Sequence, residues 1–170
     1  SGDISVLHMA ADGALQLQNT VPVGGNLMPM AISPSQHMLY AARRSDPMAV
    51  VSLAIDPQSR DLHRVGESPL PASMAYVGTD TAGRFLLAAS YPGHQLTVSP
   101  VQPDGTVGAV QQVVPTGPNA HAIMASPCNR YVLATSLGGG ELMVFAWSAE
   151  TGRLSPLTSW AARSGAGPRH

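Results

Sequence analysis

Four blocks in fixed register, short apolar strands separated by Asp–Gly, Thr–Gly and Asp–Pro turns, and no helical periodicity predict an all-β chain. The architecture they predict is a partial β-propeller of four-stranded antiparallel blades, with about three full blades and an incomplete blade at each end. A sandwich or an ordinary barrel would also use short strands. Neither requires blocks that recur at a fixed spacing.

The chain opens with "ISVLHMAADGAL", an apolar strand, an Asp–Gly turn and the start of another strand, so residues 1–27 read as the outer strands of a first blade. Inner blocks follow at Met30 ("MAISPSQHMLYAA"), Met74 ("MAYVGTDTAGRFLLAAS") and Ala122 ("AIMASPCNRYVLATS"). Each is an apolar strand, a polar turn and a second apolar strand. The second strands begin at Met38, Phe85 and Tyr131, at steps of 47 and 46. An outer block succeeds each inner one: "AVVSLAIDPQSRDL", "QLTVSPVQPDGTV" and "ELMVFAWSAETGRL". With the opening block, their closing apolar residues Leu15, Leu62, Val107 and Leu154 step by 47, 45 and 47. Four strands in 40 to 50 residues is the size of a propeller blade. The blades are therefore placed at 28–74, 75–120 and 121–168, and residues 169–170 are read as the start of another. The ending "GAGPRH" begins like "GPNAH" at 117–121, which leads us to expect part of a larger ring.

Composition narrows the partners. At 44 % hydrophobic and 11 % charged residues the 170-residue chain is globular in character. Net charge is −1 and the nine basic residues, all arginine, are scattered, so no basic stripe exists to follow a nucleic acid. The single Cys128 has no internal partner and no zinc-ligand spacing around it. No apolar run approaches the length of a membrane span, and the first residues lack the order of a signal peptide. A cytoplasmic protein is expected, with no nucleic-acid or membrane partner, no metal and no cofactor. Open blade edges make self-association an expected property of the isolated segment.

Aligned by register, Met28, Ala75, His121 and Arg169 share one slot at the head of the innermost strand, which faces the central channel on one rim. His121 and Arg169 occupy it in successive units and are the candidate catalytic pair. His170, a further candidate for substrate binding, lies one residue on, so strand alternation would turn it away from Arg169 unless the strand has not begun. The loops between second and third strands belong to the same rim and carry Arg44 and Tyr91 in matching slots, both candidates for substrate binding. Arginine suits a phosphate because its planar fork donates two hydrogen bonds to one anion. His8, His37, His63 and His94 fall in outer strands or turns and read as surface or capping residues. Gly138–Gly140 has no following Lys-Ser/Thr and no helix, so it reads as a tight turn rather than a phosphate cradle. Hydrolase elbows, zincin motifs and paired carboxylates are missing from the sequence.

The units "PMAISPSQHMLYAARR" and "GPNAHAIMASPCNRYVLA", the terminal "GAGPRH" and the Asp/Glu-x-Gly-x-Leu hairpins resemble the seven-bladed lactonase propellers, the 6-phosphogluconolactonase-like family. The resemblance covers the whole chain but only the N-terminal half of such a protein. It implies hydrolysis of a sugar-acid lactone, with 6-phosphogluconolactone as the expected substrate, and active-site roles for His121 and Arg169. Arg169 would stabilise the oxyanion, His121 would relay a proton and Arg44 would hold the phosphate. Two other readings stay open: a non-catalytic propeller scaffold or inactive fragment, and a carboxymuconate-cyclising isomerase of the same fold family.

Overall fold

The structure is a computed structural model and describes residues 2–170. It contains fourteen strands: β1 (Asp3–Met9), β2 (Leu15–Pro22), β3 (Leu27–Ile32), β4 (Met38–Arg43), β5 (Ala49–Ile55), β6 (Leu62–Pro69), β7 (Tyr76–Thr79), β8 (Phe85–Ser90), β9 (Gln95–Pro100), β10 (Gln112–Pro115), β11 (Ala120–Ala125), β12 (Tyr131–Ser136), β13 (Glu141–Ser148) and β14 (Arg153–Ala161). β1 and β2 form a two-stranded sheet, and β3–β6, β7–β10 and β11–β14 form three four-stranded sheets. Every pairing is antiparallel between neighbours in sequence. This is the partial propeller that the sequence predicts. Among the described residues no helix is long and apolar enough to cross a membrane.

Strand periodicity explains why the sheets stack. Side chains alternate between the two faces of a strand, so a strand between two sheets supplies two separate cores. In β4, Leu39 and Ala41 join Ile4, Val23, Val51 and Leu53 between the first two sheets. Met38, Tyr40 and Ala42 point the other way and pack with Leu86 and Ala88 of β8. Phe85, Leu87 and Ala89, the alternate residues of β8, pack with Val132, Ala134, Phe145 and Trp147 of the last sheet. There the Phe85 and Trp147 rings meet edge to face, centroids 5.4 Å apart. At the two ends the alternation continues but the faces are uncovered, leaving Leu17 63 % and Trp160 56 % exposed.

Turn chemistry repeats with the strands. Ser33, Asp80 and Ser126 occupy one slot, and the side-chain oxygen of each accepts the N–H that opens the following strand, at Met38, Phe85 and Tyr131 (3.1, 3.0 and 3.1 Å). Three residues on, Gln36, Gly83 and Asn129 all take positive φ (61°, 69° and 52°). The outer hairpins turn at Gly13, Arg60, Gly105 and Gly152, also with positive φ. Gly105 needs its glycine twice over: its φ is 86°, and a Cβ there would sit 2.8 Å from the Met38 sulfur. Its carbonyl accepts the Tyr40 hydroxyl across the sheet interface. Further out, the Gln112 amide accepts the Leu154 N–H (2.8 Å) and donates to the Leu154 carbonyl (2.9 Å), joining the last two sheets by backbone-like pairing.

Two measurements test this packing. Leu87 is fully buried between sheets, so Leu87→Ala should cost about 2–5 kcal/mol in urea unfolding, whereas Leu17→Ala on the open face should cost no more than about 0.5 kcal/mol. Cys128, exposed on the β11–β12 turn, has its thiol brought down to about 7, first by the Ser126 hydroxyl and then by Arg130. Its alkylation by iodoacetamide should be half-maximal near pH 7, and Ser126→Ala should move that midpoint upward.

Candidate active site

His121 is positioned by an irregularity in a sheet. Ala120 pairs with Ser136 and Ala122 with Thr135, so His121 is an extra residue bulged out of the β11–β12 ladder. A bulge re-aims a side chain that regular pleating would send elsewhere. The first four-stranded sheet has a register shift at the matching place, between Leu27 and Met30. In the last sheet the Thr135 hydroxyl accepts the Ala122 N–H at 3.2 Å and closes the gap that the bulge opens.

Three side chains converge on the His121 ring. Arg169 Nε donates to His121 Nε2 at 3.1 Å. His170 meets the ring edge-on with centroids 5.0 Å apart, and Tyr91 does so at 6.1 Å. Residues 169–170 follow β14 without forming a strand, so the alternation that would separate them does not apply, and both reach His121. His121 is only 9 % exposed. An N–H donor at Nε2 requires a lone pair there, so the ring is neutral with its proton on Nδ1. Nδ1 is buried and has no partner among the described residues. Burial, then the Arg169 and His170 charges, hold the imidazole below its ordinary 6.5. The geometry therefore makes His121 the acceptor for Arg169, where residue type alone suggested a proton relay.

Arg44 is anchored in a similar way. Its Nε donates to the Ser73 hydroxyl at 2.9 Å, and Ser73 is itself only 9 % exposed. Ser90 Oγ donates to the Ser73 carbonyl at 2.8 Å, and Tyr91, the next residue, lies against His121. Arg44, Ser73, Ser90–Tyr91, His121 and Arg169 thus follow one another by direct contact along a single rim. On both arginines Nε is committed to a buried partner and the two terminal nitrogens make no hydrogen bond to a described residue. The neighbouring Arg43 differs: it is paired with Glu67 and bonded to the Pro47 carbonyl. No carboxylate hydrogen bonds to Arg44, Tyr91, His121 or Arg169 among the described residues. His94 caps the rim, its Nδ1 accepting the Asn119 N–H at 2.9 Å. Gly138–Gly140 turns between β12 and β13. A cleft of about 290 Å³ opens beside Thr135 and His170, with walls made mostly apolar by Ile123, Met124, Leu133 and Leu142.

Ser73 and Thr135 are absent from the candidates that the sequence yields. Serine and threonine abound in β proteins, and only the fold reveals which hydroxyl meets which arginine. One signal is present for Thr135: the matching slot holds Ala42 and Ala89 in the other two units, and alanine suffices there for packing.

The family described as "Lactonase, 7-bladed beta-propeller" matches residues 1–170. The chain belongs to this family. It is 38 % identical to a 6-phosphogluconolactonase of Pectobacterium carotovorum and 36 % identical to that of Yersinia enterocolitica, in each case over all of this chain and 51 % of the relative. The chain thus spans about half the length of these curated lactonases. Among solved structures, a periplasmic gluconolactonase of Pseudomonas aeruginosa superposes with TM-score 0.86 at 23 % identity, covering 98 % of this chain and 53 % of the other. A protein of Lactobacillus plantarum gives TM-score 0.86 at 20 % identity over 95 % and 50 %. At such identities the likeness is one of fold.

The His121 environment sets a pH dependence. A folded-state pKa below the unfolded 6.5 means that the unfolded chain binds more protons, so this histidine's contribution is complete above about pH 6.5 and lost as pH falls. The stability of the parent relative to His121→Gln, which cannot titrate, should decline from pH 7.5 to pH 5 in paired urea titrations. A flat difference would show that the ring is not held neutral.

Proposed function

We propose that the complete protein carrying this half hydrolyses a sugar-acid lactone, and that the substrate is a phosphorylated lactone of the 6-phosphogluconolactone type. The observation that carries this reading is the pair of arginines on one rim, each fixed through Nε and each presenting an unpaired fork. Family membership and the lactonase relatives support the reaction class. Two anion-binding forks match a substrate with two centres of negative charge: a permanent one on the phosphate and a developing one on the lactone carbonyl.

Arg169 serves the developing charge. When water attacks the ring carbonyl, the oxygen becomes an oxyanion, and a donor already oriented by His121 stabilises it without reorganisation. His121, with Nε2 occupied and Nδ1 protonated, keeps the guanidinium in place and is not the base for the attacking water. The base comes from outside the cluster formed by these residues. Arg44, held by Ser73, takes the phosphate through its free nitrogens. Tyr91 and His170 form walls of the site beside His121.

The test separates the two arginines. In the full-length protein, Arg169→Ala should lower turnover of the phosphorylated lactone by about 100- to 1000-fold with a smaller change in KM. Arg44→Ala should instead raise KM for the phosphorylated lactone and leave hydrolysis of the unphosphorylated lactone nearly unchanged. Parent-like kinetics in both variants would remove this rim as the active site. A full-length parent inactive on both lactones would refute lactone hydrolysis itself.

A further inference from the structure

We propose that Thr135 is the positioning residue for the candidate pair: its hydroxyl fixes the Arg169 backbone against the His121 bulge, so that the Arg169 side chain meets His121 Nε2 and the ring keeps its proton on Nδ1. The inference rests on the proposed role of Arg169 for its catalytic consequence. Its structural content stands independently of any activity.

Three observations lead to Thr135. Its hydroxyl is used in both directions, accepting the Ala122 N–H at 3.2 Å and donating to the Arg169 carbonyl at 3.0 Å. One atom therefore joins the residue after His121 to the backbone of the residue that contacts His121. The hydroxyl belongs to a residue only 7 % exposed, so water does not readily replace either bond, and a buried group left unpaired is costly. Finally, the internal repeat supplies a comparison within one chain. Ala42 and Ala89 occupy the slot in the other two sheets and are fully buried without any polar function, so a hydroxyl is no requirement of blade packing. It appears in the sheet that carries the bulged histidine.

The geometry also accounts for the choice of carbonyl as the anchor. Among the described residues the backbone after β14 is bonded to the sheet at Ala162, whose N–H donates to the Gly140 carbonyl, and the Thr135 hydroxyl holds the carbonyl of Arg169 to β12. Arg169 is solvent-exposed, and a long exposed side chain outside any strand would sample many rotamers. Pinning its carbonyl leaves only side-chain freedom. The His121 contact then removes most of that, because an imidazole lone pair accepts from one direction.

The test reads the histidine directly. In this chain labelled with nitrogen-15 in histidine, long-range proton–nitrogen correlation at pH 7.5 should show the ring identified by its loss in His121→Gln as the Nδ1–H tautomer. Thr135→Val, close in shape and lacking the hydroxyl, should shift that ring toward the Nε2–H tautomer favoured by free imidazole. Thr135→Ser, which keeps the hydroxyl, should retain the parent signature. Arg169→Ala should reproduce the change seen with Thr135→Val without altering β12. Thr135→Ala replaces Thr135→Val if the latter does not fold. Failure of both to fold would assign the hydroxyl to stability alone and overturn the proposal. So would an unchanged tautomer in Thr135→Val or in Arg169→Ala, or a Thr135→Ser that behaves like Thr135→Val. In the full-length protein, Thr135→Val should lower turnover by about 10- to 100-fold with little change in KM, and Thr135→Ser should restore it. A full-length parent without lactonase activity would defeat the proposed function while the nitrogen signals still decide the role of Thr135.

Discussion

Everything in this molecule depends on strands that are buried on both faces by different neighbours. A four-stranded sheet alone has no interior, and its apolar residues gain only when a second sheet covers them. β8 shows the consequence in six residues, all of them buried: Leu86 and Ala88 belong to one interface, Phe85, Leu87 and Ala89 to the next. Register is therefore not adjustable. A slip of one residue in β8 would exchange the partners of both interfaces at once.

That rigidity is what lets an irregular rim be accurate. The inner strands are held by cores behind them, and β3, β7 and β11 lie side by side. Departures from regular strand pairing can then be tolerated where the strands begin. The bulge at His121 is one, and the Arg169 carbonyl, held by the Thr135 hydroxyl, is another point fixed by a side chain. Each is secured by a side-chain hydroxyl or a ring nitrogen rather than by another ladder bond. Polar groups specialised for single contacts thus do at the rim what repeating backbone bonds do in the sheet.

The fold was legible in the sequence because its determinants are local and repeated. Apolar alternation, a polar residue at Ser33, Asp80 and Ser126, and a left-handed residue three positions later recur at nearly constant spacing, and each has a backbone reason. The candidate residues on the rim were legible for a related reason: His121 and Arg169 depart from the apolar or small residues of their slot, and Arg44 stands in a loop that the strand order puts nearby. What could not be read was how these side chains engage. The Ser73 hydroxyl under Arg44, the Thr135 hydroxyl on the Arg169 carbonyl and the lone pair that Arg169 uses are contacts between residues 29, 34 and 48 positions apart. For His170 strand alternation alone could not decide the direction, because residues 169–170 lie outside any strand in the structure.

The way the two arginines are tethered also bears on which residue types this rim can accept. A guanidinium has chemically separate sites for scaffold and ligand: the inner nitrogen faces Ser73 or His121, and the outer pair keeps its geometry toward an incoming oxygen. Lysine offers a single ammonium in which both duties would fall on the same nitrogen, so binding a ligand would compete with the contact that orients it. Charge alone is thus an incomplete description of positions 44 and 169. On the proposed function, their specification is a divided cation, with one edge held by the protein and the other left for the guest.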